Sequence, residues 1–184
     1  MGEVLSAMSP GKRAELSERA SCKLMEQKVW RDSHKVLGFL GFKDELDLFA
    51  VLEVAWAIGK TIALPRYVAE QNSYGAAVTS PEKREFVKGA FGVLEPPADA
   101  PLIPLNQLDL VLVPGLAFDC QGRRLGRGKG FYDRLLAEVT GIKCGVALDE
   151  QIVPELPEEP HDIAMNFILT PTRWIEVTGP PVGS

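Results

Sequence analysis

The chain lacks most of what would mark a secreted, membrane-embedded or nucleic-acid-binding protein. Only three cysteines occur in 184 residues (Cys22, Cys120, Cys144), and none forms a Cys-x-x-Cys pair. That excludes a disulfide scaffold and the usual zinc spacings, and reads as free thiols in a reducing cytoplasm. No apolar run approaches the roughly 18–20 residues that span a bilayer. The opening MGEVLSAMSP has no basic segment followed by a long apolar one, so no secretion signal and no membrane partner are expected. Positive charge is in deficit: 20 Lys and Arg against 25 Asp and Glu leave a net charge of −5. Nucleic-acid partners usually demand a broad basic face, so none is expected. The two histidines, His34 and His161, are too isolated for a metal or relay cluster. Internal repeats, low-complexity tracts and long linkers are missing too, and residues 1–184 read as a single domain.

What is present alternates between helical and extended patterns. Ser9-Pro10 is a helix opening, since a serine cap satisfies an orphan amide and proline pre-sets the first turn. Leu16, Ala20 and Leu24 then recur at helical spacing. Residues 36–40 form a short apolar run that predicts a strand. Leu48, Phe49, Leu52, Ala55 and Trp56 share one helical face, closed by Gly59. Residues 61–64 predict the next strand, stopped by Pro65. From 66 to 99 the pattern loosens, with a weak strand near 74–78 and a helical turn around 81–86. Proline then makes a rigid connection over residues 95–104. Further strands are predicted at 110–113, 142–148, 166–169 and 174–177, with a helix from 131 to about 139. Such alternation predicts an α/β fold: a three-layer α/β/α arrangement, Rossmann-like, with a mostly parallel sheet and helices on both faces. Ligands of such sheets bind outside the carboxyl ends of the strands.

One segment on that edge is unlike the rest. After the strand and Pro114-Gly115 comes a glycine loop with five bases (Arg123, Arg124, Arg127, Lys129, Arg134) against Asp133. Its local charge of about +4 stands in a chain that is otherwise acidic. The common triphosphatase loop Gly-x-x-x-x-Gly-Lys-Ser/Thr does not fit, because Gly128-Lys129 is followed by Gly130. The dinucleotide spacing Gly-x-Gly-x-x-Gly fails as well, since the glycines stand at 126, 128 and 130. Alternating glycines still let backbone amides approach a polyanion, with Arg127 and Lys129 supplying charge. Asp133 is placed to hold a metal ion that bridges phosphates. The alternative is a solvated turn leading into a helix.

The segment Val113-Pro114-Gly115-Leu116-Ala117-Phe118-Asp119, continued by Gly122-x-Arg124-Leu125-Gly126-x-Gly128-x-Gly130-Phe131-Tyr132-Asp133, resembles the signature of the 5-formyltetrahydrofolate cyclo-ligase family. Leu64-Pro65-Arg66, Gly92-Val93-Leu94-Glu95-Pro96 and Glu159-Pro160-His161-Asp162 match in the same order, so the resemblance covers roughly residues 9 to 172. It implies ATP- and Mg²⁺-dependent conversion of 5-formyltetrahydrofolate, polyglutamylated or not, to 5,10-methenyltetrahydrofolate, with release of ADP and phosphate. By matching position, Arg124, Leu125, Gly126, Arg127, Gly128, Lys129, Gly130, Phe131 and Tyr132 would bind the nucleotide. Lys129, Arg127 and Tyr132 would act in catalysis. Asp133 and Asp162 would hold Mg²⁺, and Leu40, Glu45 and Tyr67 would contact the folate, with Phe91 packing on its rings. The chain is expected to act as a monomer.

The sequence departs from the family at one place. Members usually begin with a basic helix that reaches the phosphates, whereas residues 1–8 contain no Lys or Arg. Lys12 and Arg13 would substitute only if the first helix docks differently. This leaves a second reading, a folate- or nucleotide-binding relative with little turnover.

Overall fold

The computed structural model describes residues 8–42, 44–82, 85–89, 92–128, 130–157 and 162–178. Lys129, Phe91 and His161, all singled out from the sequence, lie outside the described residues. Helix α1 (Pro10–Met25) starts as its sequence predicts, with Ser9 Oγ accepting from the Lys12 amide at 3.2 Å. A short α2 (Lys28–Asp32) leads into β1 (Lys35–Leu37). Helix α3 (Phe49–Ala57) connects β1 to β2 (Thr61–Val68), which turns back into β3 (Ser73–Thr79). A small hairpin, β4 (Val87–Lys88) and β5 (Leu94–Glu95), precedes β6 (Leu102–Ile103). Then come β7 (Leu110–Pro114), β8 (Ala117–Asp119), β9 (Arg124–Leu125) and α4 (Phe131–Glu138). Strands β10 (Ile142–Val146), β11 (Ile152–Val153), β12 (Phe167–Leu169) and β13 (Trp174–Glu176) complete the chain.

The main sheet has eight strands in the order β13-β12-β10-β7-β1-β2-β3-β6. Its centre, β12-β10-β7-β1-β2, is parallel, and the strands outside it are antiparallel. Successive side chains of a strand point to opposite faces, and the central strands divide accordingly. Leu110, Leu112, Ile62, Leu64 and Leu169 pack with Leu24 of α1 and Leu52 of α3. Val111, Val113, Ala63 and Ile168 pack with Leu135 and Leu136 of α4. The runs that read as unbroken apolar sequence are therefore two alternating sets feeding two cores, and the three-layer α/β arrangement follows. Among the described residues, α4 packs on the second face together with Phe118 of β8 and Ile152 of β11, which belong to a three-stranded sheet, β11-β8-β9.

Counted in chain order, the five parallel strands lie 2-1-3-4-5 in space. The order reverses between β1 and β7, where α3 leaves to one face and α4 to the other. In doubly wound sheets the crevice outside the carboxyl ends at such a reversal is where ligands sit. The loops after β1 and β7 are the ones that meet there.

Two sequence expectations need correction, and a third falls partly outside the described residues. Pro65 does not stop β2, which continues to Val68 and pairs Pro65 with Ala76 of β3. The β1 ladder ends at Leu37 opposite Ala63, so beyond it one flank of β2 has no ladder to supply, and a missing N–H costs nothing there. The helical turn expected at 81–86 centres on residues 83 and 84, which lie outside the described residues; of its ends, Pro81-Glu82 form a turn. Finally, the segment between β7 and α4 is more than a loop, since β8 and β9 form a hairpin within it.

Candidate functional site

The loop after β1 is held from behind. At Gly41 an added Cβ would lie 2.6 Å from the Leu46 carbonyl oxygen, a close approach that only glycine allows. Arg13 of α1 reaches over: its Nε donates to the Glu45 carbonyl at 2.6 Å and its NH2 to the Phe42 carbonyl at 2.9 Å. Glu45 itself is turned inward, 9% exposed, and its Oε2 accepts from the Phe42 amide at 3.0 Å. Burial raises the Glu45 carboxyl above its ordinary range despite hydrogen bonds from Phe42 and Arg127 that oppose the shift.

The glycine loop is anchored at its start by Asp119, which is fully buried. One Asp119 oxygen accepts from the amides of Gln121 and Arg123 at 3.0 Å, and the other from Leu156 at 2.9 Å. Arg124, its side chain 6% exposed, donates through NH2 to Asp133 Oδ1 at 2.5 Å. This ties β9 to the first turn of α4. The Arg124 Nε is buried without a partner. Gly130 caps α4 with φ 63°, the left-handed conformation that suits glycine. Ahead of it, Arg127 NH2 lies 3.1 and 3.0 Å from the two Asp44 oxygens and 3.1 Å from Glu45 Oε1, and its guanidinium stacks on Phe42 at 4.6 Å. The two loops thus meet at the sheet's reversal point, as the topology demands.

Two clefts adjoin there. The apolar one, lined among others by Leu40, Leu64, Pro65 and Pro114, has a volume of about 70 Å³. The basic one, lined by Arg124, Arg127 and the loop glycines, has about 190 Å³. Phe42, Tyr74 and Tyr132 belong to both. Burial pushes the Tyr132 phenol well above its ordinary range, with the Glu45 charge adding to the effect. Burial and then the neighbouring Glu95 carboxylate push Tyr74 up to about 12. Both hydroxyls stay protonated near neutral pH; that of Tyr74 is hydrogen-bonded to the Glu95 side chain, and that of Tyr132 is a donor at the junction of the clefts.

The structure brings together Leu40, Glu45, Gly126, Arg127, Gly128, Gly130, Phe131, Tyr132 and Asp133. Leu125 is exposed on β9, beside them. Tyr67 stands behind the wall: its hydroxyl donates to Asn72 Oδ1 at 2.9 Å and its ring packs edge-on against Tyr74 and Phe131 at 5.9 and 5.7 Å. Asp162 is half-buried on the segment before β12. No cluster of three or more His, Cys, Asp or Glu poised for a metal occurs among the described residues. Arg13 is engaged by the loop carbonyls and Lys12 pairs with Glu15 at 3.0 Å. Sequence reasoning missed Tyr74 and Asp44. Tyr74 carried a signal, an aromatic on a strand between small residues, whereas Asp44 meets Arg127 across 83 positions and left none.

A doubly wound α/β sheet with an apolar cleft and a basic glycine cleft at its reversal point belongs to the class of small-molecule enzymes built on such sheets. The comparisons then single out one family. The model of the 5-formyltetrahydrofolate cyclo-ligase family matches residues 1–171. The Escherichia coli 5-formyltetrahydrofolate cyclo-ligase is 34% identical over 173 residues, 91% of this chain and 94% of that protein. The Mycolicibacterium smegmatis enzyme of the same name is 36% identical over 147 residues, 76% and 75% of the two chains. Among solved structures, 5,10-methenyltetrahydrofolate synthetase of Aquifex aeolicus superposes with a TM-score of 0.84 at 32% identity, covering 99% of this chain and 92% of that one. The Mycoplasma pneumoniae synthetase, at 19% identity and a TM-score of 0.71 over 92% and 93% of the chains, shares the fold. The chain belongs to the 5-formyltetrahydrofolate cyclo-ligase family, ligases of folate one-carbon metabolism.

Proposed function

We propose that this protein converts 5-formyltetrahydrofolate to 5,10-methenyltetrahydrofolate with consumption of MgATP, acting as a single-domain monomer in the cytoplasm. The observation that carries this is the adjoining of an apolar cleft and a basic glycine cleft through Phe42, Tyr74 and Tyr132. That juxtaposition suits a reaction in which a heterocycle meets a nucleotide phosphate.

An amide oxygen is a poor leaving group, which is what ATP corrects. The formyl oxygen attacks the γ-phosphorus, the bond from that phosphorus to ADP breaks, and the other folate nitrogen closes on the activated carbon. Phosphate then leaves carrying the former formyl oxygen, and the attacking nitrogen loses its proton. No covalent enzyme nucleophile is needed, so the protein's contribution is positioning and charge neutralisation. Backbone amides of Gly126, Gly128 and Gly130 and the first turn of α4 face the phosphates, with the helix dipole in support. Arg127 and Lys129 neutralise the charge that builds up in transfer. The protonated hydroxyl of Tyr132 is a donor toward the formyl group. Leu40 packs on the folate ring, and Glu45 accepts from its amine groups.

Asp133 offers a hard carboxylate oxygen at the edge of the basic cleft, and Asp162 is assigned with it by sequence match. Such donors fit Mg²⁺, which is usually held by one or two carboxylates and the substrate's own phosphates. The ion would supply neutralisation of the transferring group.

The test is spectrophotometric. 5-Formyltetrahydrofolate and MgATP mixed with the protein should give the near-ultraviolet absorbance of the methenyl product, dependent on both substrates. Ligand binding without product, even at high enzyme concentration, would favour a non-catalytic relative instead.

A further inference from the structure

Arg127 faces two ways. By its place in the glycine loop it is the base available to a phosphate, yet its NH2 is bonded to both oxygens of Asp44 at 3.1 and 3.0 Å and to Glu45 Oε1 at 3.1 Å. The carboxylates belong to the loop after β1 and the guanidinium to the loop after β7, so the ion pair bridges the crevice at which the strand order reverses. The bridge reaches the apolar cleft through Glu45, which lines it, and that cleft holds about 70 Å³, less than half the roughly 150 Å³ known to hold a single benzene. A bicyclic ring needs the walls to part.

We propose that Asp44 is a positioning residue for the reaction: with Glu45 it holds Arg127 across the crevice until phosphates draw the guanidinium away, so that filling the basic cleft opens the apolar one. The inference rests on the function proposed above and names the coupling between its two substrates. While Arg127 holds it, Glu45 Oε1 has an acceptor position filled, and Arg127 NH2 divides its N–H donors among three carboxylate oxygens, so a pterin amine and a phosphate each meet a group already engaged. Whichever ligand enters first competes with the bridge and weakens it, and the second finds it weakened. Coupling of this kind is reciprocal: each ligand raises the affinity of the other by the same factor.

The pair is open to water, with Arg127 45% and Asp44 23% exposed, and a screened pair of this kind is worth only about a 2- to 5-fold change in binding. The sign is the informative part. If Asp44 bound a substrate directly, removing its charge would weaken binding. If it restrains Arg127, removing its charge tightens the first ligand to enter.

The experiment is calorimetric titration of a non-hydrolysable ATP analogue with Mg²⁺, and of 5-formyltetrahydrofolate, each alone and each with the other saturating. In the wild-type protein each ligand should tighten the other about 2- to 5-fold. Asp44→Asn should bind each ligand alone more tightly by a similar factor and lose most of the coupling, while Asp44→Glu should restore it. Weaker binding of either ligand alone to Asp44→Asn would overturn the proposal, as would independent binding of the two ligands to the wild-type protein. Failure of both ligands to bind at all would instead overturn the proposed function, and the coupling with it.

Discussion

Replacing Arg13 with methionine isolates the contact through which α1 sets the loop after β1. The guanidinium makes two bonds to loop carbonyls, 2.6 Å to Glu45 and 2.9 Å to Phe42. Hydrogen bonds from a charged donor are worth about 1.5–3 kcal/mol each when dry. Arg13 is half-buried, so solvent screening reduces the two together to about 1–2 kcal/mol. Methionine keeps the apolar packing of the stem. About 1 kcal/mol moves the midpoint of a domain this size by about 2–4 °C, so scanning calorimetry should record a fall of about 2–8 °C. The effect on function is directional. A slackened loop presents Glu45 less well, so the KM for 5-formyltetrahydrofolate should rise, by at most about 5- to 30-fold, while the KM for ATP stays within about twofold. An unchanged folate KM with a raised ATP KM would refute this reasoning, because Arg13 would then be serving phosphate.

Three further outcomes are expected. Folding raises the Glu45 carboxyl above its unfolded value through burial, so its charged form costs stability at neutral pH, and that cost is relieved as pH falls through the raised value. Glu45→Gln should therefore melt no lower than wild type at pH 7, with the gap narrowing under acid, while binding folate more weakly; a deficit in melting temperature that is constant with pH would refute this. Lys129→Ala should lower kcat by about 10²–10³, the usual loss when a donor to developing negative charge is removed, and activity within tenfold of wild type would discard its assigned role. Cys22 and Cys120 are exposed and Cys144 is buried, with its thiol pushed up by burial; a thiol reagent should titrate two groups in the native protein and three after denaturation. Three in the native state would contradict the packing under β10.

The α/β class was legible in the sequence because its long elements carry clear local signals. The Ser9-Pro10 cap, the apolar face of α3 and the run at β7 each appear where local chemistry predicts them. What escaped had no local signal, or obeyed a rule whose premise was missing. Strands β8, β9 and β11 are two or three residues long, too short to show a period, and they exist because Asp119 gathers three backbone amides. Pro65 misled because the expectation that proline ends a strand assumes paired neighbours on both flanks. The anion loop was visible as composition, but its partners were not. Nothing near Arg127 in sequence marks Asp44 and Glu45 as the carboxylates that meet it; only the reversal of strand order between β1 and β7 brings them together. Tyr67 matches a substrate contact of the family by position, and its edge-on packing against Tyr74 was not legible in the sequence.

The central claim is that the formyl oxygen is transferred to phosphate in the crevice between these loops. Substrate carrying ¹⁸O in the formyl group tests this directly, by mass analysis of the phosphate released in a single turnover with MgATP. The account predicts one ¹⁸O per phosphate, in step with methenyl product. Unlabelled phosphate alongside product, with the label in water, would contradict it.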